Sequence, residues 1–190
     1  MADRTALKPI EEYTEYLRLL ARMQLSSQLR GKLGESDVVQ QAVLQAHARR
    51  DQFRGTTEEE WIGWLRAILG NVLTSTLRAY GTGARDIRRE QSIDAGLEQS
   101  ASRVEQWLVA EQSSPSLQAS RHEELIRLAK ALALLPDDQR EAVELHHLQG
   151  RTVAEVGAMM GRTRPAAMGL IFRGLKRLRE LLDEDRESHG

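Results

Sequence analysis

Thr152 and Glu155 stand three residues apart at the head of an apolar-periodic stretch, a spacing that starts a helix rather than one that does covalent chemistry. A hydroxyl so placed takes the backbone N–H three residues on, while the carboxylate reaches back: the reciprocal pair of a capping box. Gly161 ends that short helix by supplying the positive φ of a sharp turn. Thr163 caps the next helix, whose first turn accommodates Pro165 because the missing N–H is no loss there. In this second helix Ala167, Ile171, Gly174, Leu175, Leu178 and Leu182 share the inward face; Arg164, Met168, Gly169, Phe172 and Arg173 face out. Residues 136–182 thus read as three helices in succession, the last two a helix-turn-helix. The dominant use of that motif is to set a short helix in the major groove of DNA. A generic helical hairpin in a bundle fits the same periodicity.

Charge points the same way. The formal net charge of −1 hides a segregation. Residues 151–179 carry Arg151, Arg162, Arg164, Arg173, Lys176, Arg177 and Arg179 against Glu155 alone. A second basic zone, residues 61–90, holds Arg66, Arg78, Arg85, Arg88 and Arg89 against Asp86 and Glu90. The stretch between them and the tail after residue 179 are acidic. Two basic zones, each on a helix with its own apolar stripe, predict two contacts with a polyanion. A solvated helix face accounts for either zone taken singly.

Enzymatic readings find no residues to carry them. There is no cysteine, and so no disulfide, thiolate metal site or thiol nucleophile. No phosphate-cradling glycine loop, nucleophile elbow or metal cluster is present, so no cofactor is expected. His146 and His147 lack a carboxylate or second histidine pair at ligand spacing, which makes them structural or surface residues. No stretch of roughly 18 apolar residues occurs, and the N-terminus MADRTALKPIEEY lacks the apolar core of a signal peptide. The expectation is a soluble, cytoplasmic protein.

The elements that position these groups are helices throughout. Aromatic residues make up only 4% and charged residues 29%. No run of alternating β-branched residues appears, so the fold class is all-α. A helix is predicted from Ile10 to Leu29, broken by Gly31 and Gly34. Ser36 caps a second, with Val38, Val39, Ala42, Val43 and Ala46 on its apolar side, reaching Arg50. Thr57 and Glu60 offer another capping box. It opens a long helix in which Trp61, Trp64, Leu65, Ile68, Leu69, Val72, Leu77 and Tyr80 recur at helical spacing, closed by Gly81 and Gly83. Trp61 and Trp64 offer rings on which flipped bases can stack, but their helical spacing with Leu65 and Ile68 favours the core for one or both. Glu58, Glu59 and Glu60 favour the helix N-terminus through its dipole. Phe53 either anchors the preceding loop or lines a pocket within it. Residues 92–120, rich in Ser, Gln and Ala, read as a flexible acidic tether with a turn or two of helix. A further helix runs from Arg121 to Leu135, and Pro136 restarts the chain. Asp183 to Gly190 is read as a solvated, frayed end. Two helical modules result, 10–91 and 121–182, joined by a 92–120 linker.

Taken together the modules resemble a known family. Leu135-Pro136, Gln139-Arg140, Gly150, Thr152, Glu155-Val156, Gly161, Thr163 and Leu178-Arg179 are similar to the fourth conserved region of bacterial RNA polymerase sigma factors. Ser36-Asp37-Val38-Val39-Gln40, Asp51-Gln52-Phe53-Arg54-Gly55 and Trp64-Leu65-Arg66 with Ile68, Leu69 and Asn71 are similar to their second region. With no third region between them, the layout resembles the extracytoplasmic-function (ECF) type of the sigma-70 family. Several residue roles are implied by the resemblance. Asp37, Val38, Val39, Gln40 and Gln41 would dock on the clamp coiled coil of the largest subunit of core RNA polymerase, with the flap region as a further contact. Asp51, Gln52, Phe53 and Arg54 would hold an unstacked base of the −10 promoter element, and Arg66, Asn71, Thr74 and Arg78 would line the melting duplex. The −35 element would be read by Arg151, Arg162, Thr163, Arg164, Pro165, Ala166, Met168, Gly169, Arg173 and Arg177. Partners would be core polymerase and promoter DNA. ECF factors are commonly held inactive by an anti-sigma factor, for which no residue here is diagnostic.

The chain departs from the family at several positions. Gln41 replaces a usual acid, and positive charge is thin around Ala79, Gly81 and Thr82. Met168 and Leu170 stand where Lys and Arg are frequent. Such a helix can touch thymine methyls and lean on DNA shape but offers few bidentate contacts to guanine. Selectivity at −35 is therefore expected to rest on Arg162, Arg164 and Arg173, with low intrinsic DNA affinity. The rival functions are a stand-alone helix-turn-helix regulator and a sigma-like adaptor that no longer opens promoters.

Overall fold

The computed structural model describes residues 7–25, 34–79, 87–111 and 118–188, and among them every regular element is helical, so the all-α expectation holds. A 3-10 turn at Ile10–Tyr13 leads into α1 (Thr14–Gln24), followed by α2 (Glu35–Ala48), a 3-10 turn at Arg50–Gln52 and α3 (Glu58–Ala79). Then come α4 (Ile87–Glu111), α5 (Gln118–Ala133), α6 (Asp137–Val143), α7 (Val153–Met159) and α8 (Arg164–Ser188). A π turn over Glu144–Leu148 extends α6. The chain divides into two compact units, Met1–Ala101 and Ser102–Gly190.

In the first unit α1, α2 and α3 pack on one another through Tyr16, Leu17 and Leu20, through Val39, Ala42 and Ala46, and through Trp61, Leu65, Leu69 and Val72. Polar ties also cross this core. Tyr13 Oη donates to Glu58 Oε1 at 2.7 Å, and burial followed by that bond pushes the phenol above the ordinary tyrosine range. Buried Arg22 on α1 lies 3.5 Å from Glu35 at the start of α2. Helix α1 is shorter than predicted, because Leu25 is already extended. Ser36 is not the cap of α2; Gly34 precedes the helix, and its carbonyl accepts from Asp37 and Val38 N–H at 3.0 and 3.2 Å. Tyr80, Gly81, Gly83 and Arg85 fall outside the described residues.

The expected tether is the largest correction. Most of 92–120 lies in α4, a helix of 25 residues rather than a turn or two. Ile93, Leu97, Ala101 and Val104 are buried at helical intervals that the Ser, Gln and Ala around them disguise. Ala, Gln and Glu are themselves good helix formers, so burial of one narrow stripe suffices. Within the first unit, Gln24 Nε2 donates to Ser100 Oγ at 2.8 Å. Within the second, Trp107 stacks on His147 at 5.4 Å, a structural use of that histidine.

In the second unit α8 packs against α5, α6 and α7. Its core joins Ala142, Leu145, Val156, Ala167, Leu170 and Ile171, with Val153, Met160 and Leu175 against them. The tail is not frayed where it is described: α8 runs to Ser188, and Asp185 accepts from Arg127 Nε on α5 at 2.6 Å. Two glycines set the spacing. A Cβ on Gly174 would meet Val143 Cγ2 at 2.7 Å, and one on Gly157 would lie 2.9 Å from the Arg162 carbonyl oxygen. The second of these is a backbone atom with nowhere to go. Gly157→Ala is therefore expected to destabilise this unit by about 1–3 kcal/mol. Urea unfolding should show a lower midpoint at unchanged slope.

Candidate nucleic-acid interfaces

The helix-turn-helix forms as its sequence requires. Thr152 Oγ1 accepts from Glu155 N–H at 3.3 Å, and Glu155 Oε2 accepts from Thr152 N–H at 2.8 Å. That backbone bond, with the Thr152 hydroxyl, holds the Glu155 carboxyl below the ordinary glutamate range. Gly161 takes φ +63°, and Arg162 N–H donates to Gly157 carbonyl at 2.8 Å, which closes the turn. Thr163 Oγ1 accepts from Ala166 N–H at 3.4 Å, and Pro165 occupies the first turn of α8.

Burial then fixes which way α8 faces. Ala167, Leu170, Ile171 and Leu178 point into the core, while Arg162, Thr163, Arg164, Pro165, Ala166, Met168, Phe172, Arg173 and Lys176 are exposed. Leu170 is thus a core residue, only 6% exposed, not a replacement for a DNA-facing cation. Gly169 is half-buried beneath the Arg173 guanidinium, whose Nη1 lies 3.2 Å from where a Cβ would stand. Arg151 is exposed before the capping box, and its carbonyl pairs with His146 Nδ1 at 2.6 Å. Arg177 is spent within its own helix: Nη1 donates to Glu180 at 3.1 Å and Glu184 at 3.3 Å. Those pairs raise its pKa and subtract it from the charge offered outward.

In the first unit the structure splits the sequence-predicted sets. On α2, Asp37, Gln40 and Gln41 are exposed along one face, but Val38 and Val39 are buried. The valines hold the helix in place and are not available to a partner. Sequence reasoning missed Leu44, which is 69% exposed. It lies seven residues after Asp37 and four after Gln40, on the same face. An apolar residue off the buried stripe was the available signal.

The loop before α3 is anchored from below. Phe53, 6% exposed, packs edge-on against Trp61 at 4.8 Å and tilts against Trp64 at 5.5 Å, while the two tryptophans stack at 4.9 Å. Of the two uses predicted for Phe53 the anchor is the one observed, so it is not a surface for a base. Trp61 is core, and Trp64 is half-buried. Asp51 and Gln52 are exposed in the 3-10 turn, and Arg54 Nη1 donates to the Asp51 carbonyl at 3.1 Å. Glu60 closes the loop, accepting from Thr56 N–H at 2.8 Å and Thr57 N–H at 3.0 Å. Along α3, Asn71 and Arg78 are exposed and Thr74 is half-buried. Arg66 is turned aside: Nε lies 3.2 Å from Glu98 on α4, and Nη1 donates to Tyr16 Oη at 3.5 Å. The Arg66 side chain is only 16% exposed, while Glu98 is exposed.

Residues 125–178 match the family described as Sigma-70, region 4. The chain is 32% identical over 155 residues to RNA polymerase sigma factor CarQ of Myxococcus xanthus, covering 81% of this chain and 77% of that protein. It is 30% identical over 149 residues to the ECF RNA polymerase sigma-E factor of Escherichia coli (strain K12), covering 77% and 71%. Among solved structures, the sigma factor RpoE in complex with the anti-sigma factor NepR from Bartonella quintana aligns over 90% of this chain and 91% of that one. Its identity is 24% and its TM-score 0.34. No helix among the described residues is long and apolar enough to cross a membrane.

The loop anchor carries a pH dependence. Bonds from Thr56 and then Thr57 N–H hold the Glu60 carboxyl below the ordinary glutamate range. A lowered folded pKa means the anchor is in place above the unfolded value and is lost as pH falls through the folded one. Acidification through that window should move the Thr56 and Thr57 amide resonances together in the native chain. In Glu60→Ala the two should not titrate.

Proposed function

The chain belongs to the ECF sigma factors of the sigma-70 family, which act in transcription initiation and are not enzymes, and on that premise we propose how its surfaces divide the work. The exposed face of α2, with Asp37, Gln40, Gln41 and Leu44, docks on core RNA polymerase. The loop from Asp51 to Thr57, with Asn71, Thr74 and Arg78 of α3, takes the −10 element as it opens. The N-terminal half of α8, with Arg151 and Arg162 before it, reads the −35 duplex.

The observation that carries this reading is the outward surface of the helix-turn-helix. No acidic residue occurs from Gly161 to Arg179, and the residues facing out there include Arg162, Arg164, Arg173 and Lys176. Such a surface attracts phosphate, and a helix N-terminus entering the groove adds its dipole. Single-stranded capture asks for less, a basic track and a place for an unstacked base. Two weak readers gain affinity from effective concentration once both are mounted on the polymerase, so neither need bind DNA tightly alone.

A second reading draws on the neutralised arginines. With Arg66 paired to Glu98 and Arg177 to Glu180 and Glu184, a sigma-like adaptor that binds polymerase without opening promoters is the alternative. Reconstitution with purified core polymerase separates the cases. A stable complex that transcribes from a promoter library supports the first reading, and a complex that never transcribes supports the second. Absence of any complex rejects both.

Asp37→Ala and Leu44→Ala are expected to weaken holoenzyme assembly while leaving DNA binding by the free chain unaltered. Arg164→Ala should cost about 1–3 kcal/mol in promoter binding and relax one or two −35 positions. Unchanged selectivity would remove α8 from the reading role.

A further inference from the structure

Met168 and Phe172 lie one turn apart on the outward face of α8, 53% and 70% exposed. Their exposure is forced. Ala167, Leu170, Ile171 and Leu178 occupy the inward face, and Gly174 lies against Val143 and Gln139, which leaves no room for two more large side chains inside. Of the flanking residues, Pro165 and Ala166 are short and let the helix backbone come close to whatever faces it, while Gly169 lies beneath the Arg173 guanidinium. Around the pair stand Arg164, Arg173 and Lys176, all exposed, in a stretch without a single acid.

An apolar strip inside a cationic rim suits a partner that offers apolar groups within an anionic surface. In its major groove duplex DNA presents one such group, the C5 methyl of thymine, beside hydrogen-bonding edges that methionine and phenylalanine cannot address. A protein partner for an apolar strip would more often meet it with acids at the rim or apolar area over the whole face. We propose that Met168 and Phe172 read thymine methyls in the −35 element, so that this protein selects that element in part by van der Waals contact, with Arg173 and Lys176 holding phosphate. The proposal rests on the reading of α8 as the −35 reader. It adds the apolar pair to Arg164 as a determinant of base selectivity.

The test uses holoenzyme reconstituted from the full chain and core polymerase. Promoters with a randomised −35 element are selected by transcription, and the winners are remade with deoxyuridine for each −35 thymine, which removes only the methyl. At the contacted positions the native holoenzyme is expected to lose about fourfold in binding per methyl, the worth of one buried apolar carbon. Met168→Ala and Phe172→Ala should fold normally, since both side chains are exposed, and should bind thymine and uracil promoters alike. Phe172→Leu should keep part of the difference. Equal binding of the two templates by the native holoenzyme overturns the proposal. So does an unaltered thymine preference in Met168→Ala and Phe172→Ala, or a loss of polymerase binding in these variants, which would mark the strip as a protein contact. Failure of the native chain to join core polymerase appears before any template is varied, and it defeats the parent reading instead.

Discussion

The close approach of α7 to the start of α8 is the constraint on which the second unit depends. Gly157 sits where any Cβ would strike the Arg162 carbonyl, and Gly157 carbonyl in turn accepts the Arg162 N–H at 2.8 Å. That pair of backbone relations fixes the turn angle, and the turn angle decides which side of α8 meets the core. Once Ala167, Leu170 and Ile171 are inside, the direction of Met168, Phe172 and Arg173 is no longer free. The face proposed to read DNA is a consequence of packing: it is what remains after the core has taken its share.

Carboxylates play an analogous part at both candidate interfaces. Glu60 and Glu155 each fold back on a threonine three residues earlier, satisfying amides that a helix start leaves unpaired. The loop before α3 and the entry to α7 are both stiffened this way. Neither acid touches a partner in the proposed scheme; each sets the geometry of the chain that does.

Much of this was legible in the sequence because it rests on local rules. The two capping boxes, the positive φ at Gly161 and the inward set of α8 follow from residue type and spacing within a few positions. What escaped depends on contacts between segments far apart in the chain. Residues 92–111 looked like a tether because Ser, Gln and Ala dominate them, yet Ile93, Leu97, Ala101 and Val104 find buried surfaces that composition cannot reveal. Val38 and Val39 carry the family motif and the core at once, so a motif match could not tell docking residues from supports. Leu170 was misplaced for the opposite reason, by reading a family position before asking which way the helix faced. Arg66 and Arg177 counted as free charge until their partners on α4 and α8 came into view.

The bond between Arg127 and Asp185 has a mechanical meaning. Helix α8 is one continuous rod of 25 residues, on the order of 37 Å long, and its far end is pinned to α5 through that contact. A rod held near both ends can transmit a tilt. A partner that seized the final turns and competed with Asp185 for the arginine would release that end of the rod while staying far from its opposite tip.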